Sequence, residues 1–236
     1  MILRAFGPSG QWPDQDLIAF SDEFDASIVL AAYCSGVFPM PLHESGFDGQ
    51  MGWWSPVRRG VLDLDDLRVT RSLRKSGRRY TTTIDQAFEE VLLRCADPSR
   101  PGGWIDAEVR RVYTELYGRG LVHSVETWDA RGRLVGGLYG VSLRGLFAGE
   151  SMFHDPELGR DASKVALGRL VNELRSRLDG EALLDVQWVT EHLASMGASE
   201  ISRDDYLARL GTALDAPDTA WSRMRRPGDW LLDRTA

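Results

Sequence analysis

The sequence predicts an α+β fold: a mixed, mostly antiparallel sheet with flanking helices, preceded by a small N-terminal domain. Three observations carry this prediction. Between residues 123 and 153 the pattern changes from helical spacing to consecutive strand-like runs joined by tight turns. Segments of helical period, several opened by Asp, stand on both sides of that region. The chain has 236 residues, 43% apolar and 27% charged, which suits one large domain with a smaller partner. The smaller domain is read as residues 1–60 and the larger as 61–236.

Asp25 precedes the apolar run from Ala26 to Tyr33 and predicts a capped, buried helix that Gly36 stops. Phe38-Pro39-Met40-Pro41 cannot continue it, because proline removes a backbone donor and fixes its own φ. Residues 46–52 read as loop, and 53–56 and 60–64 as short strand pieces. A helix over 70–77 and a β-branched strand over 80–84 follow. Asp85 is expected to cap a helix that ends near Cys95. Asp106 is expected to cap another, with Val109, Val112, Tyr113 and Leu116 at helical spacing. Strands are then predicted over 123–128, 134–143 and 146–153, with a turn at 129–132 and a hairpin at Arg144-Gly145. A helix over 162–178, a buried strand over 183–188 and a helix over 203–214 complete the order β-β-β-α-β-α. That order resembles the core of the acetyltransferase-like (GNAT) superfamily.

Composition narrows the function. Lys plus Arg is 28 and Asp plus Glu 35, a net charge of −7, which excludes a wholesale polycation. The two cysteines, Cys34 and Cys95, exclude a disulfide framework and a cysteine-rich zinc site. No secretory signal and no run of ~20 apolar residues is present, so a soluble, cytoplasmic protein is expected. P-loop, G-x-G-x-x-G, H-E-x-x-H and G-x-S-x-G motifs are missing, and the four histidines show no metal spacing. Residues 154–161, between a strand and its helix, carry three acids where a coenzyme A pyrophosphate loop would be glycine-rich. No metal and no cofactor is therefore expected.

Three features point to a site. Residues 58–79 hold eight bases against three acids, a local +5 that leaves −12 elsewhere. This is the footprint of a nucleic-acid backbone contact, or else a solvated face. Eight tryptophans include Trp53, Trp54 and Trp104 beside Gly or Pro, where exposed rings could stack on bases, although one of the adjacent pair suits the core better. Finally, Glu150 lies in an apolar strand, on one face with Met152 by period two, and Asp185 and Gln187 share a face of the next buried strand. Buried carboxylates are costly unless paired, so these three polar groups in neighbouring strands indicate a site or a structural network.

A set of short motifs occurs in order: Gly36-Val37-Phe38-Pro39, Trp53-Trp54-Ser55-Pro56, Trp104-Ile105, His123-Ser124-Val125-Glu126, Val135-Gly136-Gly137-Leu138-Tyr139-Gly140-Val141, Gly149-Glu150-Ser151-Met152-Phe153, Ala162-Ser163-Lys164, Asp185-Val186-Gln187 and His192 through Ala198. In sum they resemble the leucyl/phenylalanyl-tRNA–protein transferase family over about residues 25–212. The resemblance implies transfer of Leu or Phe from aminoacyl-tRNA to an N-terminal Arg or Lys of an acceptor protein, creating an N-degron for proteolysis. It implies neither ATP nor metal, since the aminoacyl ester is already activated. By the same resemblance, Asp185 and Gln187 are the catalytic pair, Gln187 contacting the attacking amine and Asp185 polarising it. Glu150 holds the cationic acceptor. The side-chain pocket is Leu138, Met152, Leu167, Leu170, Leu174 and Leu184. Tyr113 stands near the site, Trp104 near the terminal adenosine, and Met40 replaces a family Trp that helps to hold the tRNA end. Thr190 replaces an Asn, and Leu170 and Leu174 replace Phe, which implies a roomier cavity. The basic face Arg71, Arg74, Lys75 and Arg78 is expected to meet tRNA, and the enzyme is expected to be monomeric. Two other readings stand beside this one: a peptidoglycan-type aminoacyltransferase, for whose duplicated domain 236 residues leave little room, and a non-catalytic tRNA- or degron-binding module.

Overall fold

The computed structural model describes residues 6–42, 49–99, 103–178, 182–218 and 220–221. Strands β1 (Leu17–Ser21), β2 (Phe38–Pro41) and β3 (Met51–Trp54) form an antiparallel sheet in the order β1-β3-β2. Between β1 and β2 runs α1 (Ala26–Ser35). The Asp25 carboxylate accepts from the N–H groups of Ser27 and Ile28 at 2.7 and 2.9 Å, the expected cap. The two prolines of β2 sit on an edge strand, where a missing donor breaks no ladder. Met51 and Gly52, expected as loop, belong to β3, because Met51 is flanked by Ser21 on one side and Pro41 on the other. The remainder of that expected loop, through residue 48, lies outside the described residues.

The larger sheet has seven strands in the order β10-β4-β9-β8-β7-β6-β5. They are β4 (Arg58–Val61), β5 (Thr81–Ile84), β6 (Val122–Trp128), β7 (Leu134–Leu143), β8 (Leu146–His154), β9 (Leu183–Gln187) and β10 (Ser199–Ser202). Every neighbouring pair is antiparallel except β8 and β9, which α5 (Ala162–Arg177) joins by a crossover. Residue 60 lies inside β4, and residues 55–57 separate the two sheets. Helices α2 (Arg71–Gly77), α3 (Phe88–Cys95), α4 (Ala107–Gly118), α6 (Glu191–Ser195) and α7 (Arg203–Asp215) complete the fold. This is the mixed α+β layout, a mostly antiparallel sheet with flanking helices, that the sequence predicts.

The two faces of the sheet bury separate cores. Residues of α1, α3, α4 and α7 share one cluster with Tyr139, Val141 and Ala148. On the other face, α5 supplies Val165, Ala166, Leu167, Leu170, Val171 and Leu174 against Leu138, Phe147 and Leu184. Gly136 lets α5 approach, since a Cβ there would stand 2.5 Å from that of Ala162. Asp85 does not cap α3 as expected. Its φ is 57°, and its carboxylate instead accepts from the Ser124 N–H at 3.0 Å and meets His123 Nδ1 at 2.7 Å. The start of α3 is held from below, where buried Glu126 accepts from the backbone at Gln86 and Ala87.

Candidate active site

Strands β8 and β9 pair at only three positions, Leu146 with Leu183, Phe147 with Leu184 and Ala148 with Asp185. Beyond these, β8 continues to His154 while β9 ends at Gln187, so the two strands part. A cavity of about 260 Å³ opens in the gap. Leu138, Met152, Leu167, Leu170, Leu184, Val186 and Leu193 give it apolar walls. Phe38, Met40, Trp104 and Trp188 line it as well, with Glu150, Ser151, Gln187 and Thr190 as its polar side chains. Among the described residues, Glu150 is the only ionisable side chain in the lining.

A β-bulge sets the position of Glu150. The β7–β8 register passes from Tyr139 opposite Ser151 to Gly140 opposite Gly149, which leaves Glu150 as the inserted residue. Period two therefore fails here. Met152 packs towards α5, whereas Glu150 reaches Tyr113 of the opposite cluster. The Tyr113 hydroxyl donates to Glu150 Oε2 at 3.0 Å and shares a hydrogen bond of 2.7 Å with the Tyr33 hydroxyl. Glu150 is half-buried as a residue, yet its Oε1 is closed from solvent and has no hydrogen-bond partner among the described residues. Loss of hydration raises its pKa to about 7, against the phenols of Tyr33 and Tyr113, which act to lower it. Nearby Asp185 raises it further and Arg59 lowers it. Burial lifts both phenols well above the usual tyrosine value, so they remain donors.

Asp185 is fully buried and its carboxylate is saturated. Oδ1 accepts from Arg59 Nε at 2.9 Å and from the Gln187 N–H at 2.9 Å. Oδ2 accepts from Arg59 Nη2 at 2.5 Å and from the Tyr206 hydroxyl at 2.9 Å. Four donors fill the roughly four lone-pair sites of an ionised carboxylate. Arg59 is 0% exposed, lies between the rings of Phe38 and Tyr206, and donates its remaining Nη1 to the Gly36 carbonyl at 3.1 Å. Burial alone would discharge it, but Asp185 outweighs that and holds its pKa above the usual guanidinium range. Gln187 has φ 57°, a conformation rare for a side-chain-bearing residue, and its N–H is pinned by Asp185. The kink turns the Gln187 side chain to the cavity, where its Nε2 is buried with no partner among the described residues.

The structure thus brings Glu150, Gln187, Trp104, Met40, Leu138, Met152, Leu167, Leu170 and Leu184 to one cavity. Asp185 and Tyr113 stand one layer behind it, touching Gln187 and Glu150. Leu174 does not line the cavity. It is 1% exposed in the core beneath α5, one turn away from Leu170. Arg71, Arg74, Lys75 and Arg78 form one exposed face of α2 and the residue after it, while Leu73 and Ser76 are buried. Of the wider basic stretch, Arg59 is internal and Arg58 pairs with Glu200 at 3.6 Å, so neither belongs to that face. Trp53 is core, and Trp54 meets Trp188 edge-on.

Sequence reasoning missed Arg59, Tyr206, Tyr33, Phe38, Val186, Trp188 and Leu193. One signal for Arg59 existed: a lone buried acid at Asp185 needs a cation. Trp188 is held by its indole N–H, which donates to Asp16 Oδ2 at 3.0 Å, a contact across 172 positions that no local pattern shows.

The family model described as leucyl/phenylalanyl-tRNA protein transferase matches residues 61–211, and the model of its N-terminal domain matches residues 22–57. A leucyl/phenylalanyl-tRNA–protein transferase from Rhodospirillum rubrum is 51% identical over 191 residues, 79% of this chain and 86% of that protein. One from Afipia carboxidovorans is 45% identical over 84% of this chain and 85% of its own. Among solved structures, a spermidine N-acetyltransferase variant from Vibrio cholerae is similar over 41% of this chain and 62% of its own, with a TM-score of 0.31 and 11% identity, a partial likeness. With both of its segments matched by the models and about half of its aligned residues shared with such relatives, the chain belongs to the leucyl/phenylalanyl-tRNA–protein transferase family.

Proposed function

We propose that this chain transfers Leu or Phe from aminoacyl-tRNA to the N-terminal Arg or Lys of acceptor proteins, and so makes an N-degron. The observation that carries the reading is the cavity between the parted strands, apolar in its walls, with one carboxyl and one unpartnered amide inside it. Leu138, Met152, Leu167, Leu170 and Leu184 receive the donor side chain, and a charged donor would find only Glu150 there. Trp104, Met40 and Trp188 offer faces to the terminal adenosine. The exposed face of Arg71, Arg74, Lys75 and Arg78 meets the tRNA backbone.

Transfer needs an amine placed against an ester carbonyl that is already activated. Gln187 contacts the attacking amine through its carbonyl, and its Nε2 is available to the oxygen that gains charge. Asp185 acts through Gln187: with all its acceptor sites filled, it fixes the left-handed backbone that aims the amide. Glu150 attracts the cationic acceptor. This reading places a monomeric enzyme in the cytoplasm, with tRNA and proteins as partners and no cofactor. No helix among the described residues is long and apolar enough to cross a membrane. Incubation with radiolabelled Leu-tRNA and a protein beginning with Arg tests the reading. Label is expected on that protein and not on one beginning with Ala, and absence of label from both would overturn the assignment.

A further inference from the structure

We propose that Glu150 is the base of the transfer: its carboxylate takes a proton from the acceptor's α-ammonium, and the Tyr33–Tyr113 hydroxyl pair holds its Oε2 and orients the carboxylate for that task. The inference rests on the aminoacyl-transfer reading and goes beyond it, since attracting a cation does not require removing its proton.

Four observations support it. An amine attacks only as the free base, so a proton must leave the ammonium before bond formation. Among the described residues, Glu150 is the only ionisable side chain lining the cavity. Asp185, the other carboxylate of the site, accepts from Arg59 twice, Tyr206 and the Gln187 N–H, which leaves no oxygen lone pair for a proton in flight. The Gln187 amide is not basic. Glu150, in contrast, has one oxygen bonded and one without a partner. The bulge that inserts Glu150 aims it into the gap and away from the ladder.

The surroundings suit a base. The groups facing the carboxyl are Tyr33 from α1, Tyr113 from α4, Arg59 from β4 and Asp185 from β9. Both phenols stay protonated and donate, so they favour the ionised form while burial opposes it. The outcome, about 7, lies within about one unit of the α-amino value of ~7.7–8.0, the match that efficient proton transfer needs.

The step balances. Glu150 accepts one proton from the ammonium and becomes a carboxylic acid. The freed amine attacks the ester carbonyl, and the carbon–nitrogen bond forms. The bond from the carbonyl carbon to the ribose oxygen then breaks, and that oxygen takes the second amine proton to leave as the tRNA hydroxyl. Glu150 finally releases its proton to water, so one ammonium and one ester yield one amide, one hydroxyl and one proton.

The test measures kcat and KM for transfer to an Arg-initiated peptide, from about pH 5.5 to 9, with saturating Leu-tRNA. In the unmodified enzyme kcat should fall on the acid side along a single ionisation. Glu150→Gln, which keeps shape, should lower kcat at least about 100-fold and abolish that limb. The same variant should recover to within about 10-fold of the unmodified enzyme with a peptide that carries an N-terminal aminooxy group, a far weaker base that is already neutral at the assay pH. Tyr33→Phe, remote from substrate, should shift the limb to higher pH with little change in KM. A Glu150→Gln variant whose KM rises while kcat and its pH limb persist would overturn the base and leave Glu150 a binding group. Failure of the aminooxy peptide to rescue a folded variant would also overturn it. Inactivity of the unmodified chain with every donor and acceptor would instead overturn the transfer reading, and this role with it.

Discussion

Two carboxylates a few residues from the same strand junction behave in opposite ways. Asp185 lies inside a fork of guanidinium and phenol donors, so removing it strands Arg59 in the core. Asp185→Ala should therefore destabilise the protein by about 3–5 kcal/mol, read by urea unfolding, and not leave the fold intact. Replacing both partners with Leu should recover part of that loss, because an apolar pair strands no charge. The double variant should nevertheless transfer nothing, since the Gln187 N–H has lost its acceptor. A stable and active double variant would show that Asp185 does not position Gln187. Glu150 has its pKa raised from 4.5 to about 7, so the folded state binds its proton more tightly than the unfolded chain. That contribution is fully present below about pH 4.5 and is lost as pH rises to about 7, where ionised Glu150 begins to oppose folding. Glu150→Gln should match the unmodified protein near pH 4 and exceed it by roughly 1–2 kcal/mol near pH 8, once solvent screening of a half-buried residue is discounted. Equal stability at both values, in chemical unfolding, would contradict the cause given for the shift.

At the scale of elements, α5 decides which donor side chains fit. Leu170 and Leu174 lie one turn apart, and simple helical spacing puts both on one face. The structure separates them: Leu170 reaches the cavity, and Leu174 is buried further along the core. Leu170→Phe should narrow the pocket and lower kcat/KM for Phe-tRNA relative to Leu-tRNA by roughly 10-fold, corresponding to about 1–3 kcal/mol of fit. Leu174→Phe should leave that ratio unchanged and cost about 1–3 kcal/mol of stability through overpacking. Relative kcat/KM for the two charged tRNAs, with a melting curve for each variant, checks both. A shifted donor ratio in Leu174→Phe would return that residue to the pocket wall.

For the whole molecule, the notable property is segregation of charge. The chain carries −7, yet Arg71, Arg74, Lys75 and Arg78 crowd one exposed face, with no ion pair to any carboxylate among the described residues. Substituting all four with Ser should weaken tRNA binding and flatten its salt dependence. The log–log slope should fall by roughly 0.7–0.9 for each phosphate that is no longer neutralised. Binding titrations at several salt concentrations measure this, and an unchanged slope would assign the face to solvent. Donor selectivity should not respond, because none of the four residues lines the cavity.

The sequence by itself determined the succession of elements from β6 to β9 along the chain, the helix caps at Asp25 and Asp106, and five leucine and methionine residues of the apolar pocket. Each of these is encoded locally, by period, capping chemistry or a run of branched residues. It also marked Glu150, Asp185 and Gln187 as out of place in apolar strands, which the cost of burying polar groups makes visible. Tertiary structure alone decided how those three divide the work. A one-residue bulge overrode period two at Glu150, and a left-handed kink did so at Gln187. Pairing Asp185 with Arg59 across 126 positions turned an apparent surface base into the centre of the core. Such contacts depend on which strands become neighbours. That is settled by packing of the whole chain, so local sequence carries no record of it.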